Sequence, residues 1–266
     1  VAGKIGGLGL DEDRNGRGKR DMSEVPDCIF ASSCPEGIPT LDISLQGDVL
    51  DYPAQWGKFA RSTDMKGKTA TFWVDDYRFN AMGNAIEYGD HWWKLWERPA
   101  KVWESGAPSF IEVNFSTSNH QPYARVLWQI FKKRQLSCLF QKMGGMRCWV
   151  DMNVAERWED LNMLGVPKGW LAYATHYQKY YDLDLLMHQV ELARTHAGTD
   201  AIRFAVFAHN KDVERFCHRE GLIYCGEDWK ARDESKRQKR IAASEKMIMI
   251  EEIQPKKIAC DLGAWS

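Results

Sequence analysis

Residues 146–151 read Met-Arg-Cys-Trp-Val-Asp, residues 170–175 read Trp-Leu-Ala-Tyr-Ala-Thr, and residues 202–207 read Ile-Arg-Phe-Ala-Val-Phe. Each is a short, mostly apolar run with aromatic or β-branched residues. Such a run, set between polar or Gly- and Pro-containing segments, is the pattern of a strand covered on both faces. Between the second and third runs, Leu186, Val190, Ala193 and Ala197 recur at helical spacing, and Gly198 stops the helix. Strand, helix and strand in that order imply a crossover, and crossovers join parallel strands. This segment decides the fold class: α/β, built from parallel strand–helix repeats.

The rhythm extends in both directions. Downstream, Asn210 is placed to cap a short helix carrying Val213, Phe216 and Cys217; Gly221 ends it, and Leu222-Ile-Tyr-Cys225 follows as a strand. Upstream, Pro122 suits a first helical position, and Val126, Leu127, Ile130, Phe131, Leu139, Phe140 and Met143 carry a helix as far as Gly144-Gly145. Before it, Ser109-Phe-Ile-Glu-Val-Asn114 and Thr71-Phe-Trp-Val-Asp75 read as strands. With Ile38–Leu45 and Met247–Ile250 added, the count approaches that of a barrel. The expectation is a barrel-like arrangement (a complete or partial β/α barrel), with an open parallel sheet as the alternative.

The expected organisation is an irregular lead over 1–36, an α/β domain over 37–229, and a charged helix with a tail strand over 230–266 packing on the same domain. Hydrophobic residues make up 44% of the 266 and charged residues 27%, an ordinary globular balance. No apolar run is long enough to span a membrane. Val1–Leu10 is Gly-rich without an apolar signal core, so the expected compartment is cytoplasmic. The net charge of −1 confines any nucleic-acid contact to a local surface. Seven cysteines without a Cys-x-x-Cys pair read as free buried thiols, with Cys28 and Cys34 as a minor metal candidate.

In parallel α/β folds, ligands bind beyond the carboxyl ends of the strands. That rule selects Asp75, Asp76, Asp151 and His176 as catalytic candidates, and Arg78, Asn114, Ser116, Asn153, His209 and Lys211 as substrate-binding candidates. Asp75, Asp76, Asn114, Asp151 and His176 are expected to line a common pocket. Carboxylates from two strands, Asp75 and Asp151, are the pair that would hold Mg²⁺ or Mn²⁺; the same pair could instead do acid/base work. Helix capping and Asx turns are the plainer roles for these acids. Phosphate-loop, nucleophile-elbow, zincin and dinucleotide signatures are absent. The string from His209-Asn210 to Gly221-Leu-Ile-Tyr224 resembles the closing segment of the acetyltransferase superfamily, without a Gly-rich acetyl-CoA loop upstream.

One resemblance covers about Gly37 to Gly226. Its strings are Gly37-Ile-Pro-Thr-Leu41, Phe72-Trp-Val-Asp-Asp-Tyr-Arg-Phe79, Trp96-Glu-Arg-Pro99, Asn114-Phe-Ser116, a helix bearing Trp128, Arg147-Cys-Trp-Val150, Gly165-Val-Pro-Lys-Gly169 and Ala205-Val-Phe207. In this order they resemble the family described as domain of unknown function 4417, found in bacteria and their phages. The family pattern has Pro-Asp where this chain has Val113-Asn114, and residues from about Asn80 to His91 are extra. The resemblance implies a phage or mobile-element context and no defined activity. Three functions follow as expectations: a metal-assisted enzyme on nucleic acid or nucleotides, a carbohydrate-active barrel suggested by twelve Trp and paired acids, or a non-catalytic partner in a phage process.

Overall fold

The computed structural model describes residues 11–12, 18–19, 30–50, 52–55, 65–73, 100–177 and 182–226. Two short strands, β1 (Asp11–Glu12) and β2 (Gly18–Lys19), pair antiparallel. Seven strands then form one sheet: β3 (Tyr52–Gln55), β4 (Lys68–Thr71), β5 (Ser109–Ile111), β6 (Arg147–Asp151), β7 (Ala172–His176), β8 (Arg203–Ala208) and β9 (Ile223–Gly226). Their order in the sheet is their order in the chain, and every neighbouring pair is parallel. Right-handed crossovers that all step in one direction put the connecting helices on one side of a sheet. The sheet curls accordingly into a half-barrel, with β3 and β9 as its outermost strands among the described residues. The expected α/β class and parallel repeats are therefore present, in the partial-barrel form.

Two strand assignments change. Of the run Thr71–Asp75, Thr71 closes β4 (Lys68–Thr71) and Phe72 and Trp73 lie past its end, while Val74 and Asp75 lie outside the described residues. The strand is built on polar β-branched residues that a count of apolar side chains passes over. Buried Thr69, for example, shares a 2.7 Å hydroxyl hydrogen bond with Ser109 across β4 and β5. Ile38–Leu45 is not a strand either. It makes one isolated bridge, Pro39 to Ser32, and a 3₁₀ turn over Ile43–Leu45, where the Asp42 carboxylate accepts from the Ser44 amide. Besides the short β1 and β2, sequence reasoning missed β3, where Pro53 argues against a central strand but suits the outermost strand of the described sheet. Met247–Ile250 and the whole of 230–266 lie outside the described residues.

Between β5 and β6 runs α1 (Tyr123–Gly144), ended by Gly145 at φ +60°. After β6 come a 3₁₀ turn (Glu156–Trp158) and α2 (Glu159–Asn162). Between β7 and β8 is α3 (Leu183–Ala197), and between β8 and β9 is α4 (Lys211–Glu220), capped by the Asn210 side chain on the Asp212 amide. Gly198 and Gly221 end α3 and α4 in the left-handed conformation, as the sequence predicts. No described helix is long and apolar enough to cross a membrane.

Two features position the site. First, α1 is wrapped on both sides. Leu136 and Phe140 join the main core, while Val126 and Ile130 pack with Ile38 and Trp158 in a second cluster. Three consecutive charged residues in α1, Lys132, Lys133 and Arg134, are consequently only 7%, 3% and 0% exposed. Second, β6 and β7 share only the pairs Val150–Tyr173 and Asp151–Ala174, near the carboxyl end of β6. Towards their amino ends a wedge fills the gap. The Gly47 amide donates to the Cys148 carbonyl at 2.8 Å, and Gln46 Oε1 accepts from the Leu171 amide at 2.8 Å. The pairing thus concentrates where Asp151 emerges.

Four cysteines, Cys138, Cys148, Cys217 and Cys225, are free and buried. Burial pushes the Cys138 and Cys225 thiols up to about 12 and Cys217 to about 11, so they serve as packing groups. Cys34 is half-buried and free; Cys28 lies outside the described residues.

Candidate functional site

At the carboxyl ends of β5 and β6, two carboxylates and two cations are buried together. Glu112 follows directly after β5 and Asp151 closes β6; both are 0% exposed. Facing them from α1 are Lys133 and Arg134. Arg134 donates through Nη1 to Glu112 Oε1, through Nη2 to the Asn162 carbonyl, and through Nε to the Leu164 carbonyl at 2.9 Å. Lys133 Nζ donates to Asp151 Oδ2 at 3.2 Å, to the Asp151 carbonyl at 2.7 Å and to Asn162 Oδ1 at 3.0 Å, with Glu112 Oε2 3.8 Å away. Ser137 Oγ donates to Glu112 Oε1 at 3.0 Å, and the Asp151 amide to Glu112 Oε2 at 3.2 Å. Burying four charges is costly unless each is paired and hydrogen-bonded. Here every one is, and the result is a rigid, charge-balanced plug beneath the rim.

Asp151 Oδ1 carries the plug outwards. It accepts from Asn153 Nδ2 at 2.6 Å, from the Asn153 amide at 3.2 Å and from Trp73 Nε1 at 3.1 Å. Asn153 Oδ1 in turn accepts from Thr175 Oγ1 of β7 at 3.3 Å. The Trp73 indole, half-buried just past β4, stacks on the His176 imidazole at the end of β7, with centroids 5.4 Å apart and planes 18° apart. Phe207 of β8 meets the same indole edge-on, with centroids 4.5 Å apart. Residues from β4, β6, β7 and β8 thus converge at one end of the sheet. Next along the rim, the Tyr177 hydroxyl is raised above its ordinary value by burial and by the carboxylates of Asp182 and Asp212.

The sequence candidates separate as follows. Asp151, Asn153 and His176 come together through Trp73 and Thr175. Asn114 is half-buried beyond β5, and Ser116 is exposed, its carbonyl accepting from Gln129 Nε2 at 2.7 Å. His209 and Lys211 are exposed at the end of β8 and the start of α4. Asp75, Asp76 and Arg78 lie outside the described residues. Among the described residues no group of three or more His, Cys, Asp or Glu is placed to hold a metal. Both oxygens of Asp151 are committed to Lys133, Trp73 and Asn153, so Asp151 fits the role of a structural anchor better than that of a metal ligand.

Sequence reasoning did not find Glu112, Lys133, Arg134, Asn162 or Trp73. One signal was available: Lys132-Lys133-Arg134 sweeps roughly 200° of a helix, so a helix covered on two sides must bury at least one of them. Comparison of the chain with protein-family models, with curated proteins and with solved structures finds no match.

Proposed function

We propose that this chain is a phage- or mobile-element-associated enzyme acting on nucleic acid or nucleotides, with its reaction centre on the carboxyl rim. One observation carries this reading: the Trp73 indole is held by the buried Asp151 carboxylate and lies flat against His176. A fixed aromatic plane beside an imidazole combines a stacking surface for a base with a group able to give or take a proton. His176 is assigned the acid/base role, Trp73 the platform, and Asp151 the positioning of Trp73. The phage context comes from the resemblance of residues 37–226 to the family of domain of unknown function 4417. Mg²⁺ or Mn²⁺ enters only as an arm of the test, since the described residues offer no ligand set for it.

The carbohydrate reading draws less support. Sugar hydrolysis uses a pair of available carboxyl groups, and Glu112 and Asp151 are both consumed by Arg134 and Lys133. The test incubates the pure protein with single- and double-stranded DNA, RNA and nucleotides, with Mg²⁺, Mn²⁺ or chelator, beside a panel of chromogenic glycosides. Turnover of a nucleic acid or nucleotide supports the proposal. Turnover of a glycoside alone transfers the case to a carbohydrate enzyme, and turnover of neither leaves a non-catalytic phage partner.

A further inference from the structure

The rim above β5 and β6 differs from the rim above β7 and β8, and the difference points to a ligand class. The segment after β5 and the segment after β6 are stitched into one surface. Ala155 N donates to Thr117 Oγ1 at 2.7 Å, Trp158 Nε1 to the Ser118 carbonyl at 2.9 Å, Arg157 N to Asn119 Oδ1 at 3.2 Å, and Arg157 Nη1 to the Asn119 carbonyl at 3.1 Å. On it the Arg157 guanidinium lies over the Trp158 ring, 4.5 Å from the centroid. Tyr123, 49% exposed, meets the same indole at 6.2 Å, and exposed Arg125 follows it in the first turn of α1. Among the described residues neither Arg125 nor Arg157 is paired with a carboxylate, and the first turn of α1 contains no acid. Glu156 is the exposed acid next in the chain to Arg157. By contrast, Asp182 and Asp212 stand near Tyr177 on the other side of the rim.

We infer that Tyr123, Arg125 and Arg157 form a docking track for single-stranded nucleic acid, its phosphates meeting the two guanidinia and a base stacking on Tyr123. This inference rests on the function proposed above and narrows its substrate from nucleotides in general to a single strand. Physically, unpaired cations interleaved with an exposed ring are what a strand with charged phosphates and unstacked bases requires. The segments that carry the track leave the carboxyl ends of β5 and β6, so the track lies at the same end of the sheet as Trp73 and His176. The stitched loops hold the track in place before binding, which lowers the ordering cost.

The test is fluorescence anisotropy with labelled oligothymidylate and oligouridylate of about twenty nucleotides over a salt series, a length that spans more than one typical binding footprint. Wild-type protein should bind, with affinity falling as salt rises. Tyr123→Ala should weaken binding about tenfold. Arg125→Ala and Arg157→Ala should each lower the slope of log affinity against log salt by about 0.7, and Arg157→Lys should restore the slope. A thermal melt of each variant guards against loss of fold. Preference for one of the two oligomers distinguishes a DNA from an RNA ligand. Binding that is unchanged in a folded Tyr123→Ala/Arg125→Ala/Arg157→Ala variant overturns the track alone. Wild-type turnover of mononucleotides without oligonucleotide binding also overturns the track and leaves the rim reading standing; neither binding nor turnover overturns both.

Discussion

Trp73 Nε1 donates to Asp151 Oδ1 at 3.1 Å, tying a half-buried rim aromatic to a fully buried charge 78 residues away. The same carboxylate receives Lys133 on its other oxygen at 3.2 Å. Asp151 therefore couples the platform to the ion network, and its substitution should register in stability as well as in activity. Asp151→Asn keeps an acceptor but leaves the Lys133 ammonium with Glu112, 3.8 Å away, as its nearest carboxylate. Breaking a buried pair by removing one charge costs about 3–5 kcal/mol, and the retained acceptor places this variant towards the lower end. Urea unfolding checks it; an unchanged midpoint contradicts the network.

Lys133→Met removes the other charge and leaves Asp151 Oδ2 and Asn162 Oδ1 without their shared donor. It should destabilise by a similar amount, about 3–5 kcal/mol. Combined with Asp151→Asn, the loss should be much smaller than the sum, because the uncompensated charge is gone in the double variant. A double-mutant cycle measures that coupling. Strict additivity would mean that the two side chains do not act as a pair.

Gly47 sits in the wedge between β6 and β7, where an added Cβ would lie 2.4 Å from Trp149 Nε1. Trp149 is 0% exposed and belongs to the main core, so it has little room to move. Gly47→Ala should cost about 1–3 kcal/mol by overpacking. The check is the denaturation midpoint, with Gly67→Ala as a comparison in which the added Cβ meets nothing within 4 Å. Gly67 has φ +63°, so that comparison carries backbone strain without a clash.

His196 predicts a pH dependence. Burial first, then the charges of Lys168 and Arg134, hold its imidazole below the ordinary value, against the opposing effect of hydrogen bonds that it donates to the Val166 and Pro167 carbonyls. The unfolded chain thus binds this proton more tightly than the folded one. The contribution is fully present above about pH 6.5, the unperturbed histidine value, and is lost as pH falls from there through the folded value. Wild-type protein should lose stability on mild acidification, and His196→Gln should lose less over the same interval. Equal slopes for the two proteins would remove His196 as the source.

Much of the fold was legible because its signals are local. The apolar runs around Trp149, Tyr173 and Phe204, and the stops at Gly198 and Gly221, place β6 to β8 and α3 to α4 within a residue or two. What was illegible depended on partners distant in sequence. Thr69 is a strand residue because Ser109 answers its hydroxyl, and β3 is a strand because its outermost place in the described sheet tolerates Pro53. The strand-end rule brought Asp151 and His176 to the same rim. It could not say that Asp151 would be buried against Lys133, since that depends on α1 being covered from both sides. Asp75, Asp76 and Arg78 lie outside the described residues.

The most direct measurement of the central claim is turnover by His176→Ala on whichever nucleic acid or nucleotide the wild-type protein processes, with the thermal melt recorded in parallel. His176 touches Trp73 at the rim and lies outside the buried ion network, so its removal should leave the melt within a few degrees. Loss of an acid/base group predicts a rate reduced by about 10²–10⁴-fold. A folded His176→Ala protein that turns over substrate at the wild-type rate, or a wild-type protein inert towards every nucleic acid and nucleotide, would contradict the account.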